Sequence, residues 1–187
     1  MNANNPVALR AMFTLLLVGA AVPLHAQLQQ PQIPTLQVCN DTLATGKAAI
    51  VIQSRADAQH QGSFEVVVEL RCDQKSGYPT GSVQINNINM SDSIVSGNLV
   101  STAIEQVTST GKSTPTLYVN GRCKAEGAPG CRFWLMVASN RDREAAAANK
   151  GTPDVVSFLV FNGAGGRVAY GTGPVLKGDI DVKATPN

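Results

Sequence analysis

Four cysteines are the residues of this chain whose chemistry is easiest to name. Cys123 and Cys131 bracket "KAEGAPG", which has the Gly and Pro of a turn, and the apolar run "RFWLMV" follows. Thiols so placed can hold a metal, exchange disulfides, or staple a hairpin. Zinc sites want ligands at spacings such as C-x2-C, with histidines to complete the shell, and no such motif is present. An even number of cysteines in an exported chain reads instead as two disulfides. Four cysteines allow three pairings; Cys39–Cys72 with Cys123–Cys131 is preferred because the second pair is local. In the chain-entropy model those links close loops of about 34 and about 9 residues, worth roughly 4 and 2.5 kcal/mol.

His60, in "RADAQHQG", is the single histidine after residue 26 and so the single candidate for imidazole base catalysis. A Ser–His–Asp triad is recognised by geometry rather than by order along the chain. No G-x-S-x-G elbow supports one, so a solvated loop histidine is expected. Asp179 and Asp181 in "LKGDIDVK" share a strand face with Lys177 and Lys183. Paired carboxylates can bind calcium or act as acid and base. Alternating Lys, Asp, Asp and Lys opposite Ile180 and Val182 reads more simply as a solvated, ion-paired face. Glu65 and Glu69 would lie roughly 13 Å apart on a strand, too far for a dyad. "TGKS" (110–113) lacks the first glycine of a phosphate loop, and Pro115 forbids the helix that must follow. "GAGG" (163–166) leads into a strand, not a helix, so it is no dinucleotide motif.

Trp134 is the sole tryptophan. On a strand over 131–138 it shares a face with Arg132 and Met136, opposite Phe133 and Leu135. Facing outward, with Tyr118 of the neighbouring strand, these residues would form an exposed patch of the kind that binds partners. Under a second covering layer they would be core, and burial is the expectation.

The elements that must position these residues are strands. "SFEVVVELRC" (63–72) alternates strictly, with Phe64, Val66, Val68, Leu70 and Cys72 on one face and Glu65, Glu69 and Arg71 on the other. Further strands are predicted at 47–53, 81–88, 94–104, 116–122, 131–138, 154–161, 167–171 and 177–183, separated by Gly/Pro turns. "SNRDREAAAANKGTP" (139–153) predicts a helix of two to three turns, capped by Ser139 or Asn140 and ended by Gly151 and Pro153. Many short strands with one short helix imply a single antiparallel β-sandwich, Ig-like or jelly-roll, over 37–187.

Ahead of it, "AMFTLLLVGAAV" (11–22) after Arg10 reads as a signal peptide cleaved after Ala26, with a flexible Gln/Pro-rich lead-in over 27–36. The expected place is secreted or periplasmic. All acidic residues and all basic ones but Arg10 lie in 27–187, which is near neutral and carries no basic stripe for nucleic acid. No second apolar run is long enough to span a membrane. The thin catalytic inventory points to an exported, non-enzymatic binding or structural module with a protein or glycan partner and no cofactor or metal. A surface-assembly subunit completed by strand addition is one version of it. An exported hydrolase using His60, and metal handling through free thiols, are the alternatives.

Overall fold

A computed structural model describes residues 39–53, 60–73 and 77–183; the segments expected to be a signal peptide (1–26) and a lead-in (27–36) lie outside them. Eight antiparallel strands run in chain order around a closed barrel: β1 Leu43–Gln53, β2 Gln61–Asp73, β3 Tyr78–Met90, β4 Gly97–Thr110, β5 Thr116–Ala125, β6 Ala128–Ala138, β7 Val155–Phe161 and β8 Arg167–Lys183. The expected sandwich is therefore corrected. Alternation shows that one face of each strand is buried, and both architectures satisfy that equally. What separates them is the pairing of the first strand with the last, from Leu43 opposite Lys183 to Ile50 opposite Val175.

Closure needs a long last strand, and this is where the strand prediction fails. Segments 167–171 and 177–183 are one strand of 17 residues, continuous through "GTGP". Its glycines do not break it; they let it bend and pass close to its neighbours. Gly178 has φ +89°, and a Cβ there would sit 2.1 Å from the Lys47 carbonyl oxygen. Gly171 points into the barrel, where a Cβ would come within 2.8 Å of Phe158 and 3.1 Å of Phe64. Those two rings meet edge to face at 4.6 Å, so small residues on β8 leave the room that large ones on β2 and β7 fill.

The interior is packed with apolar side chains. Phe64, Phe133, Phe158, Ile50, Leu70 and Ile85 are among the largest that are fully buried. Every inward residue expected on 63–72 is buried. Charges stand at outward mid-strand positions, such as Lys47, which reaches Glu65 at 2.8 Å. An apolar interior with charges outside is the reverse of the pattern in barrels that span membranes. Among the described residues, no helix is long and apolar enough to cross one.

Both ends are covered. At one, residues 39–42 cross toward β4: Asn40 Nδ2 donates to the Ser109 carbonyl (2.8 Å), and the buried Thr42 and Ser109 hydroxyls meet at 2.7 Å. At the other, the backbone amides of Ile94 and Val95 both bond the Val168 carbonyl, and Val95 is fully buried beneath its loop. A helix does lie between β6 and β7, but α1 spans only Arg143–Ala147. Its N-cap is Asp142, whose carboxylate accepts from the Ala145 amide at 2.8 Å, rather than Ser139 or Asn140. Those residues are held elsewhere: the Ser139 amide donates to the Pro115 carbonyl at 2.9 Å, and the Asn140 amide, like that of Arg141, donates to Asp154 Oδ1.

Candidate functional site

Both disulfides are formed, Cys39–Cys72 and Cys123–Cys131, with Cα separations of 5.6 and 4.9 Å. No free cysteine is found among the described residues. A disulfide sulfur is not the thiolate that binds metal or attacks, and two such bonds fit a chain that matures in an oxidising compartment. Cys39–Cys72 ties the end-covering segment to β2, where the Cys72 amide also bonds the Thr42 carbonyl at 2.8 Å. Cys123 and Cys131 face each other across the β5–β6 hairpin.

That second link marks the register of the wall where Trp134 stands. Moving away from the disulfide, Arg122 faces Arg132, Asn120 faces Trp134, and Tyr118 faces Met136. These pairs alternate with buried ones, so they look outward. The rows continue around the barrel. Arg132 faces Phe161 and then Arg167; Trp134 faces Leu159 and then Tyr170; Met136 faces Ser157 and then Thr172. Trp134 is 59% exposed and Tyr118 is 43% exposed. The expected burial of Trp134 in a second core layer is thus corrected: a closed barrel has one interior, and nothing packs outside β6 among the described residues.

Two troughs meet at Trp134. One, of about 370 Å³, runs over β4 to β7, with Trp134, Tyr118, Met136 and Leu159 as its apolar surface. Its polar edge is made by Gln106, Asn120, Thr108 and Ser157, and its lining carries no Lys, Arg, Asp or Glu. Asn120 Nδ2 donates to Gln106 Oε1 at 2.7 Å, which orients both amides in the wall. The Ser157 and Thr172 hydroxyls meet at 2.7 Å alongside. The second trough, of about 900 Å³, lies toward the disulfide and is lined by Arg122, Lys124, Arg132, Trp134 and the Asn162–Gly165 turn. Glu105 accepts from Arg122 Nε at 2.9 Å and also pairs with Arg132. Hydrogen bonds from these two guanidinium groups hold its carboxyl below the usual range.

His60 is not a solvated loop residue, which corrects another expectation. Its side chain is 14% exposed, Nδ1 lies 3.2 Å from both Asp92 oxygens, and its ring stacks on Tyr170 at 4.1 Å. The Arg167 guanidinium lies 4.1 Å from the centre of the same tyrosine ring. A hydrogen bond from Tyr170 is the largest influence keeping the Asp92 carboxyl below its ordinary value, with His60 adding to it. A histidine oriented by an aspartate is two members of a triad. Among the described residues, no serine or threonine hydroxyl bonds to its ring.

Asp179 is not on the solvated face expected of it, whereas Asp181 is partly exposed and lies 3.9 Å from the exposed Lys183. The Asp179 side chain is 11% exposed and both its carboxyl oxygens are buried without a hydrogen-bond partner. Asp154, fully buried, leaves Oδ2 unpartnered as well. Burial first, and the adjacent Asp154 carboxyl second, push Asp179 up to about 6. Arg143 of α1 approaches Asp179 and Asp181 only to 3.9 Å. Among the described residues, no group of three or more His, Cys, Asp or Glu side chains forms a metal site.

Comparison with known proteins finds none to set beside this chain: no family model, no curated protein and no solved structure matches it.

The named candidates thus separate. Trp134, Met136, Tyr118 and Arg132 come together on one wall, His60 borders it through Tyr170, and Asp179 lies apart from it. Gln106, Asn120, Ser157 and Leu159 were missed as trough residues. Part of the wall was readable: with Cys123 opposite Cys131, counting outward along the hairpin pairs Asn120 with Trp134. The contributions of β4 and β7 required the barrel.

Proposed function

We propose that the chain is an exported, non-enzymatic binding module that takes a glycan on the outer wall of β5–β7. The observation that carries this reading is the trough around Trp134. An indole exposed on a flat strand wall offers its face to the C–H surface of a sugar ring, and its body is amphipathic enough to stand in water until then. The Asn120–Gln106 amide pair and the Ser157 and Thr172 hydroxyls supply both donors and acceptors at its edge, as sugar hydroxyls require. Few polar groups around an apolar floor, in a trough of some hundreds of cubic ångströms, is the ordinary make-up of a small-ligand site. The packed, covered interior directs attention to this wall, because the lumen that a barrel of eight strands can offer a ligand is filled here.

The test is binding to an immobilised panel of neutral and carboxylated oligosaccharides, with Trp134→Ala as the variant. The wild-type chain is expected to retain at least one glycan, and Trp134→Ala to lose it by tenfold or more while melting normally. Silence across the panel, or retention by the variant, would sink the reading.

A second reading, an exported hydrolase, is favoured by one observation, the His60–Asp92 contact. His60→Ala would then abolish turnover of an ester or glycoside. If the binding reading alone holds, the parent chain turns over neither substrate and the variant shows no loss in that assay.

A further inference from the structure

The trough that holds Trp134 does not end in neutral surface. One residue-pair step toward the disulfide, roughly 7 Å along the strands, the wall carries Arg122, Arg132 and Arg167 with Phe161 between the last two. Lys124 stands further on, in the lining of the same trough. Glu105 neutralises part of this group through Arg122 and Arg132, yet both guanidinium groups stay well exposed, at 70% and 64%. One carboxylate against three cations of the trough leaves an excess of positive charge. Of the other carboxylates nearby, Asp92 is already engaged by His60, and Glu126 at the hairpin tip lies toward Gly97. The Arg167 guanidinium carbon sits over the Tyr170 ring, 4.1 Å from its centre, which restrains its fork. Glu105 does the same for the other two.

We propose that the glycan bound by this wall is anionic: a sugar ring stacks on Trp134 while carboxylates of neighbouring residues are taken by the row Arg122, Arg132 and Arg167. The inference rests on the glycan reading above and adds the charge of the ligand. Arginine suits the task because its planar fork pairs with a carboxylate through two parallel bonds. Arg122 and Arg132 stand on adjacent strands, about 5 Å apart, and Arg167 stands two strands beyond Arg132, about 10 Å away across Phe161; a row of that length matches a polymer that repeats its charge along the chain better than a single ion. An acidic protein would meet the same row, but it would gain little from a trough lined with amides and hydroxyls around one indole.

The experiment compares matched probes by calorimetry: oligogalacturonate, oligomannuronate and oligosialate, each against its methyl ester, together with a hexa-aspartate peptide. Esterification removes charge and keeps the ring and its hydroxyls. The acid form of at least one glycan is expected to bind tenfold or more tighter than its ester, with the advantage shrinking between low and roughly 0.5 M salt. Arg132→Gln should erase most of that advantage and leave the ester's affinity within twofold; Trp134→Ala should weaken both forms. Equal affinity for acid and ester would overturn the charge inference and leave the glycan reading standing. Binding of hexa-aspartate as tight as that of the acid glycans, insensitive to Trp134→Ala, would overturn both. Silence of every pair would do the same.

Discussion

Two walls of the same barrel share one interior and differ outside. On β1–β3 the outward rows carry Lys47, Glu65, Val67, Glu69, Gln84 and Asn86, and Lys47 answers Glu65 directly. On β5–β8 the outward rows carry arginines, then Trp134 with Leu159 and Tyr170, then Tyr118 with Met136. Behind both, the inward positions are alike: Phe64 and Val66 on one side, Phe133 and Phe158 on the other, all buried. Packing dictates what points in, because each inward side chain must fill its place. Nothing in the barrel's stability dictates an indole at an exposed position, so the exposed aromatic wall is where a function can be read.

The comparison breaks most sharply on inward substitutions. Phe158→Ala removes half of an edge-to-face pair and should cost about 3–5 kcal/mol, whichever wall carries it; Phe64→Ala should cost about the same. Urea unfolding of both variants checks this, and a cost under about 1 kcal/mol for either would mean that the interior is not packed as described.

The disulfides come next. Opening Cys39–Cys72 should cost about 4 kcal/mol and opening Cys123–Cys131 about 2.5, from the lengths of the loops they close. Paired Cys→Ala variants, unfolded under identical conditions, give the order. The reverse order would place the β5–β6 wall, rather than the end-covering segment, under the greater constraint.

A third test uses protons. Asp179 is raised to about 6 in the fold against an ordinary 3.8, so the folded chain holds a proton there that the unfolded chain releases. Its contribution is therefore most favourable below pH 4, and stability falls as pH rises from about 4 to about 6. Asp179→Asn should flatten that fall and raise the melting temperature near pH 7. Asp92 and Glu105 are lowered instead, so their contributions are present at neutral pH and fade as pH drops below the usual carboxylate range. Melting temperature against pH for the variant and the parent separates the two effects.

The smallest effect sharpens the comparison most. Trp134→Ala and Glu105→Gln should each change unfolding free energy by less than about 1 kcal/mol, since one side chain is exposed and the other belongs to an exposed ion pair. A larger loss for Trp134→Ala would return it to structure and take it from function.

How much of this was legible beforehand differs by residue. The strand over 63–72, the preference for a local Cys123–Cys131 link, and the presence of a short helix before β7 follow from alternation, spacing and turn signals that lie close together in the chain; Cys39–Cys72 follows only as the pair that remains. Asp154 meeting Asp179, His60 meeting Asp92, and the arginine row do not, because each brings together residues from distant strands. The division of β8 into strands at 167–171 and 177–183 is what hides the closure from the sequence. In isolation a glycine pair looks like a turn; in the barrel Gly171 faces Phe158, Phe64 and Ile52, and Gly173 faces Ile50 and Ile52, where a side chain would not fit.

By itself, then, the chain of residues determined which face of each strand is apolar, that Cys123 and Cys131 are placed to join across a hairpin, and that the fold is all β with one short helix. Those properties are local, or are carried by a covalent bond over a short loop. Only the tertiary structure decided that the sheet closes on itself, that Trp134 stands outside it, and that two carboxyls share a buried pocket. Closure depends on β1 finding β8 across the whole chain, and that pairing is settled by how the interior fills rather than by any one segment.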